Sequence, residues 1–149
     1  MKVHGWEVQH QSQVFPFDQT DYYSNEMGEG LKRCFLSIKG LQSLEFSAEW
    51  KLKTLEIEKQ LSNKGKRRIN LDPGYLDLSR VVLLSAKEGS HKIYLRNGVW
   101  ADLVLLKDKG GYRNFPWTFP DISTGCYDDF FLKIRAEFKR EKSIGRIND

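Results

Sequence analysis

The stretch His91-Lys92-Ile93-Tyr94-Leu95-Arg96-Asn97-Gly98-Val99-Trp100-Ala101-Asp102-Leu103-Val104-Leu105 decides the fold. Two strand-like runs flank Asn97-Gly98. Asn-Gly accepts the two positive-φ positions of a tight hairpin turn, so it is the strongest short signal for antiparallel pairing. A two-residue loop pairs Arg96 with Val99, Leu95 with Trp100, Tyr94 with Ala101, Ile93 with Asp102 and His91 with Val104. His91 and Asp102 then share a face as diagonal neighbours, roughly 7–8 Å apart at the backbone. A change of one residue in the loop would send one strand's side chains to the other face.

Working outward, residues 81–85 (Val-Val-Leu-Leu-Ser) read as a buried strand, and Gly110-Gly111 turns the chain into residues 112–117. Pro116 and Pro120 bracket an irregular aromatic stretch. Tyr127, Phe130, Phe131, Ile134 and Phe138 mark a final amphipathic helix, with Asp128 and Asp129 at its start and Lys139, Arg140 and Lys142 at its end. Residues 44–61 read as the other helix. Leu41, Leu44, Ala48, Leu52 and Leu55 form one stripe, Phe46, Trp50, Ile57 and Leu61 a second, and Ser43 or Ser47 is the cap.

Residues 3–15 alternate loosely as an early strand, which Pro16 ends. Residues 18–30 form a loop with one helical turn, and residues 31–38 a strand. Asp72-Pro73-Gly74-Tyr75 reads as a turn. Strands joined by short turns, plus two amphipathic helices, make an α+β domain with a mainly antiparallel sheet and a central β-hairpin. One domain spans residues 1–149, with residues 143–149 a frayed tail.

Composition bounds the rest. The chain has 149 residues, of which 40% are hydrophobic and 30% charged, so it can bury a real core and is not a disordered chain. No apolar run is long enough for a bilayer or a signal peptide. The two cysteines, Cys34 and Cys126, suggest no disulfide framework, and a reducing cytoplasm is expected. The net charge of +4 allows an anionic partner without demanding one.

Several familiar sites are absent. Lys64-Gly65-Lys66-Arg67 lacks the glycine five residues before Gly65 and the Ser/Thr of a Walker loop, and Lys66 stands where a guanine-reading Asn-Lys-x-Asp needs an aspartate. There is no G-x-G-x-x-G, no nucleophile elbow and no metal-ligand spacing among His4, His10, His91, Cys34 and Cys126.

What remains supports paired readings. Asp18, Asp21, Glu26, Tyr22 and Tyr23 crowd one loop, either as a ligand or cation site or as a capped turn. Asn70 and Asp72 fall on one side of a strand end, or in an Asx turn. His91 beside Asp102 suits proton transfer, or is an ordinary histidine. Trp117 and Phe119 stack a planar ligand, or fill the core. Residues 64–68 are a solvated turn, or touch phosphate.

These residues resemble a known family. Asp21-Tyr22-Tyr23-x-x-Glu26-Met27-Gly28, Leu31-x-Arg33, Gly65-x-Arg67-x-x-Asn70-Leu71-Asp72-Pro73-Gly74-Tyr75, His91-x-Ile93-Tyr94-Leu95 and Trp117-Thr118-x-Pro120-Asp121 are similar to the prokaryotic domain-of-unknown-function family forty-four sixteen. The likeness runs from Phe15 to the final helix. Lys51, Thr54 and Glu58 match the family's helix, while Asp102 stands where glutamate is common and Phe119 where tyrosine is usual. Family members begin with an extra strand and helix, so the resemblance implies that this chain lacks them and leaves a sheet edge exposed. Some members carry the label GTP-binding protein, which the missing Walker loop argues against. The family implies no established reaction.

The motif residues carry both signs. Arg33, Lys51, Arg67, Lys87 and His91 are basic and Asp21, Glu26, Asp72 and Asp121 acidic. That mixture suits a small anionic ligand, a phosphorylated molecule or nucleotide, with Tyr22, Tyr23, Asn70, Tyr75 and Trp117 completing the binding set. His91 and Asp72 are the expected catalytic residues, with His91 moving a proton, and Asp21, Glu26 and Asp72 would hold a divalent cation such as magnesium or activate water. The alternatives are a nucleic-acid-binding module using residues 64–68, with steeply salt-dependent affinity, and a protein-interaction domain whose polar motifs are structural networks. No membrane role is expected.

Overall fold

A computed structural model describes residues 2–3, 5–18, 21 and 23–145. The strands are β1 (Lys2–Val3), β2 (Trp6–Gln11), β3 (Phe15–Pro16), β4 (Lys32–Arg33), β5 (Leu36–Ile38), β6 (Gly74–Leu76), β7 (Arg80–Ser85), β8 (Ile93–Arg96), β9 (Val99–Asp108) and β10 (Gly111–Asn114). The helices are α1 (Ser24–Met27), α2 (Ser47–Gln60), α3 (Pro120–Ser123) and α4 (Asp128–Ile144). Every strand pairing is antiparallel, and the architecture is α+β. No helix among the described residues is long and apolar enough to cross a membrane.

β9 is the axis of the main sheet. β7 runs along one edge of it, while β8 and β10 share the other, β8 against the first residues and β10 against the last. β6 extends the sheet beyond β7. Adjacent residues of a strand face opposite ways, and the core divides accordingly. Leu83 joins Val81, Leu105, Ile122, Tyr127 and Phe131 beneath α3 and α4, whereas Leu84 joins Val99 and Ala48 beneath α2. A smaller sheet, β1-β2-β5, sits beside the helices. The Lys53 ammonium lies 4.6 Å from the Trp6 ring centroid, and His10 Nε2 lies 2.9 Å from Glu137 Oε2.

The hairpin forms at Asn97 and Gly98, with φ of 53° and 74°. Arg96 pairs with Val99 as expected. A bulge at Leu95 then shifts the register, so Tyr94 opposes Trp100 and Ile93 opposes Ala101. The expected His91–Val104 pairing does not form, because β8 begins at Ile93.

Four other expectations need correction. Pro16 does not end the first strand; Phe15 and Pro16 make a short strand of their own against Arg33 and Lys32. The strand over residues 31–38 is broken at Cys34 and Phe35, where the Ser12 backbone and hydroxyl take up the Phe35 backbone groups. Gly74 is strand, not turn, and lies opposite Leu83. The helix over residues 44–61 is a 3-10 turn at Leu44–Phe46, with the Ser43 hydroxyl accepting from Glu45 N, followed by α2.

Neither proposed apolar stripe describes the buried face of α2. Leu44, Phe46 and Leu61 are exposed, and the buried positions are Ser47, Ala48, Lys51, Thr54, Ile57 and Glu58. Ser143 and Ile144 lie in the last turn of α4, and residues 146–149 of the expected frayed tail lie outside the described residues.

Candidate functional site

The buried polar face of α2 organises the site. Lys51 and Glu58 are seven positions apart, two helical turns, so both reach the same neighbouring segment, residues 67–72. Lys51 Nζ donates to the Leu71 carbonyl at 2.9 Å and to Asp72 Oδ1 at 3.0 Å. Glu58 Oε1 accepts from Leu71 N at 2.6 Å. Leu71, which lies outside the strands, thereby has its backbone N–H and carbonyl satisfied by side chains.

Arg67 closes the network. Its guanidinium donates to both oxygens of Glu26 at 2.8 and 2.9 Å, to Glu58 Oε2 at 3.3 Å and to Asn70 Oδ1 at 3.0 Å. Asn70 Nδ2 donates in turn to Asp72 Oδ2 at 2.7 Å. Glu26 is the one contact in this set that comes from α1, so Arg67 ties the acidic loop to α2. Its hydrogen bonds hold the Glu26 carboxyl below the usual carboxylate range.

Tyr23, at the start of α1, stands where these groups meet the others. Burial raises its phenol pKa, as does the Asp72 charge, while Lys87, Arg67 and Arg33 oppose. Four ionic groups from four separate segments therefore act on one hydroxyl. Arg33 is anchored by Asp121, which is buried, at 2.7 Å. Its guanidinium carbon lies 4.3 Å from the Phe17 ring centroid and 4.9 Å from that of Phe119.

Asp102 lies on β9 among apolar neighbours and is buried. His91 Nε2 is 3.4 Å from its Oδ1, an ion-pair distance, yet Oδ1 has no hydrogen-bond partner among the described residues. Burial raises the Asp102 pKa; the His91 and Lys92 charges oppose this and Asp72 adds to it. The His91 ring stacks on Trp117, with centroids 5.0 Å apart and planes 16° apart. Trp117 stacks also on Phe115 at 4.8 Å and donates through Nε1 to the Leu103 carbonyl. Its ring thus contacts both His91 and Phe115.

The residues singled out from sequence therefore converge in large part. Tyr23, Glu26, Arg33, Lys51, Arg67, Asn70, Asp72 and Lys87 are joined by hydrogen bonds or by their charges, and Asp72 links them electrostatically to Asp102 and His91. Tyr75 is not among them. It sits on β6 opposite Val82, and its charged neighbours are Arg80 and Asp77. Tyr22 lies outside the described residues.

Asp21 is exposed, and its carbonyl accepts from the Ser24 hydroxyl and N. It lines a hollow of about 510 Å³ with Phe17, Asp18, Ser24, Glu29 and Lys32. Asp21, Glu26 and Asp72 do not form one cation site. Glu26 is given to Arg67 and Asp72 to Lys51 and Asn70, and no group of three or more His, Cys, Asp or Glu suited to a metal occurs among the described residues.

The basic turn at residues 64–68 is split. Lys64, Lys66 and Arg68 are exposed, whereas Arg67 turns inward to Glu26 and Glu58. Cys34 and Cys126 are free and exposed. Among site groups, Asp102 is read from the sequence only as a neighbour of His91 and Glu58 only as a match to the family's helix, and neither is placed in the binding set. Their signal was polarity at core spacing: Lys51, Thr54 and Glu58 on one helix face, and an aspartate inside the apolar run of β9.

Residues 2–138 match the model of a family described as Domain of unknown function (DUF4416). No curated protein and no solved structure matches the chain.

Proposed function

The chain belongs to the DUF4416 family, and we propose that it binds a small phosphorylated molecule or nucleotide at the mixed acidic and basic cluster around Tyr23. The observation that supports this reading most is the convergence on Tyr23 of Arg33, Arg67, Lys87 and Asp72. Basic groups gathered from separate segments suit a multiply charged anion, which they hold by charge-assisted hydrogen bonds. The adjacent carboxylates suit sugar hydroxyls. Lys87 lies on an exposed loop between β7 and β8, where a ligand can reach it.

A second reading has an observation of its own. Arg67 and Lys51 are fully engaged with Glu26, Glu58, Asn70, Asp72 and the Leu71 backbone. In that reading the motif residues form a structural network that staples α1 and residues 67–72 to α2, and no ligand is bound.

A thermal-shift panel separates the two. Nucleotides, sugar phosphates and inorganic phosphate are each tested with and without magnesium. Ligand at about 100 times its Kd stabilises by about 2.7 kcal/mol, a rise in Tm of roughly 5–10 °C for a chain of this size. The binding reading expects such a rise with one compound class. It also expects Lys87→Met to lose that rise in a protein that still melts cooperatively. A flat panel from a cooperatively melting protein leaves the structural reading.

A further inference from the structure

We propose that the cluster hydrolyses phosphate esters, with His91 as the general base and Asp102 as the carboxylate that positions it. The proposal rests on the anion-binding reading above and adds chemistry to it.

Three observations carry it. First, Asp102 is a carboxylate only 7% exposed on the central strand, beside buried Val104 and Leu105. A buried carboxylate is costly unless its oxygens are used, and Oδ1 has no hydrogen bond among the described residues. The group near it is His91 Nε2, at 3.4 Å.

Second, the imidazole is fixed in place. It lies against Trp117, which Phe115 and the Leu103 carbonyl hold in turn. An imidazole whose Nε2–H faces a carboxylate keeps its lone pair on Nδ1. The His91 side chain is 27% exposed, so the imidazole can meet a water or a substrate.

Third, the pair lies within electrostatic reach of the mixed acidic and basic cluster. The Asp72 charge acts on Asp102, and Asp72 is held by Lys51 and by Asn70, which is bonded to Arg67. Lys51 and Arg67 are the fixed cations of that cluster, and a phosphoryl group that draws on them gains stabilisation of its transition-state charge.

In the step proposed, Nδ1 of neutral His91 takes a proton from a water molecule as the water oxygen bonds to phosphorus. The bond between phosphorus and the ester oxygen breaks, and the leaving oxygen takes up that proton from His91 or one from solvent. The products are the alcohol and phosphate, and His91 returns to its neutral form. Asp102 stays a carboxylate throughout and accepts from Nε2–H.

The test uses the full chain with para-nitrophenyl phosphate and bis(para-nitrophenyl) phosphate, followed by release of nitrophenolate. The parent is expected to turn over at least one of them. His91→Gln is expected to lower kcat by about 100-fold or more, the usual share of a general base. It should keep the parent's Tm and leave KM nearly unchanged. His91→Asn serves if the first variant melts early.

Asp102→Asn is expected to lower kcat and to move the acidic limb of its pH profile. The groups bearing on His91 and its partner are Asp102, Trp117, Lys92 and Asp72, and of these only Asp102 is altered. A merely structural aspartate would change Tm and leave that limb where it was. Full turnover by folded His91→Gln overturns the proposal. So does an inert parent that still binds ligands in the thermal-shift panel, which leaves the binding reading standing. An inert parent with a flat panel removes both.

Discussion

Arg67→Met is expected to destabilise the protein by about 3–5 kcal/mol, the usual cost of removing one partner from a buried ion pair. Glu58 is 2% exposed and pairs with Arg67 and the Leu71 backbone N–H. Methionine keeps much of the stem's packing and removes the charge and all of the guanidinium's hydrogen bonds. Glu58 would then be a buried carboxylate facing one backbone donor. Glu26 and Asn70 would lose the same partner, so α1 would come away from α2 as well. A melt followed by circular dichroism is expected to shift down by roughly 10 °C. Arg67→Met/Glu58→Met should recover part of the loss, because the stranded charge goes with it. A single variant that melts like the parent would show that the network holds nothing together.

Gly74→Ala is expected to cost about 3 kcal/mol, for want of space rather than of backbone freedom. A Cβ built on Gly74 would stand 2.2 Å from the Val82 carbonyl oxygen and 2.9 Å from Leu83 Cδ2. The first is backbone in the middle of the sheet and cannot rotate aside. The pairing of β6 with β7 must open, and overpacking of that kind costs about 1–3 kcal/mol or somewhat more. The lysine and asparagine contacts to Asp72 lie two residues away, so ligand-induced stabilisation should fall with Tm. Gly98 is the contrast. It has a φ of 74° and nothing within 4 Å of an added Cβ, so alanine there meets strain alone. A Gly74→Ala protein with the parent's Tm would mean that β6 stands farther from β7 than described.

Legibility in the sequence followed how local the cause was. The hairpin was readable because Asn97-Gly98 carries its own backbone requirement. Val81 to Leu84 and α4 were readable from apolar pattern. The register was not, because the bulge at Leu95 depends on how β8 meets β9 in three dimensions. α2 misled for a related reason. Apolar periodicity finds a buried face only when that face is apolar, and here burial is given to Lys51, Thr54 and Glu58, whose partners lie in residues 67–72. Pro73-Gly74 looked like turn chemistry, although the glycine serves a close approach between strands.

For the site, the list of charged residues was largely legible and their partners were not. Arg67 read as part of a basic surface and faces inward. Trp117 read as a platform for a ligand or as core, and its ring stacks on that of His91. The nearness of His91 and Asp102 was anticipated through a register that the bulge alters. The loop before β8 brings His91 to the carboxylate instead.

The most direct test of the central claim is a titration of the labelled chain with ATP and with inorganic phosphate, followed by amide ¹H–¹⁵N correlation spectra. Saturable shifts are expected, confined to Tyr23, Glu26, Arg33, Asp72, Lys87 and His91 and their neighbours, reached from separate segments by one ligand. Shifts confined to residues 64–68 and the exposed lysines of α4, or no saturable shifts at all, would contradict that claim.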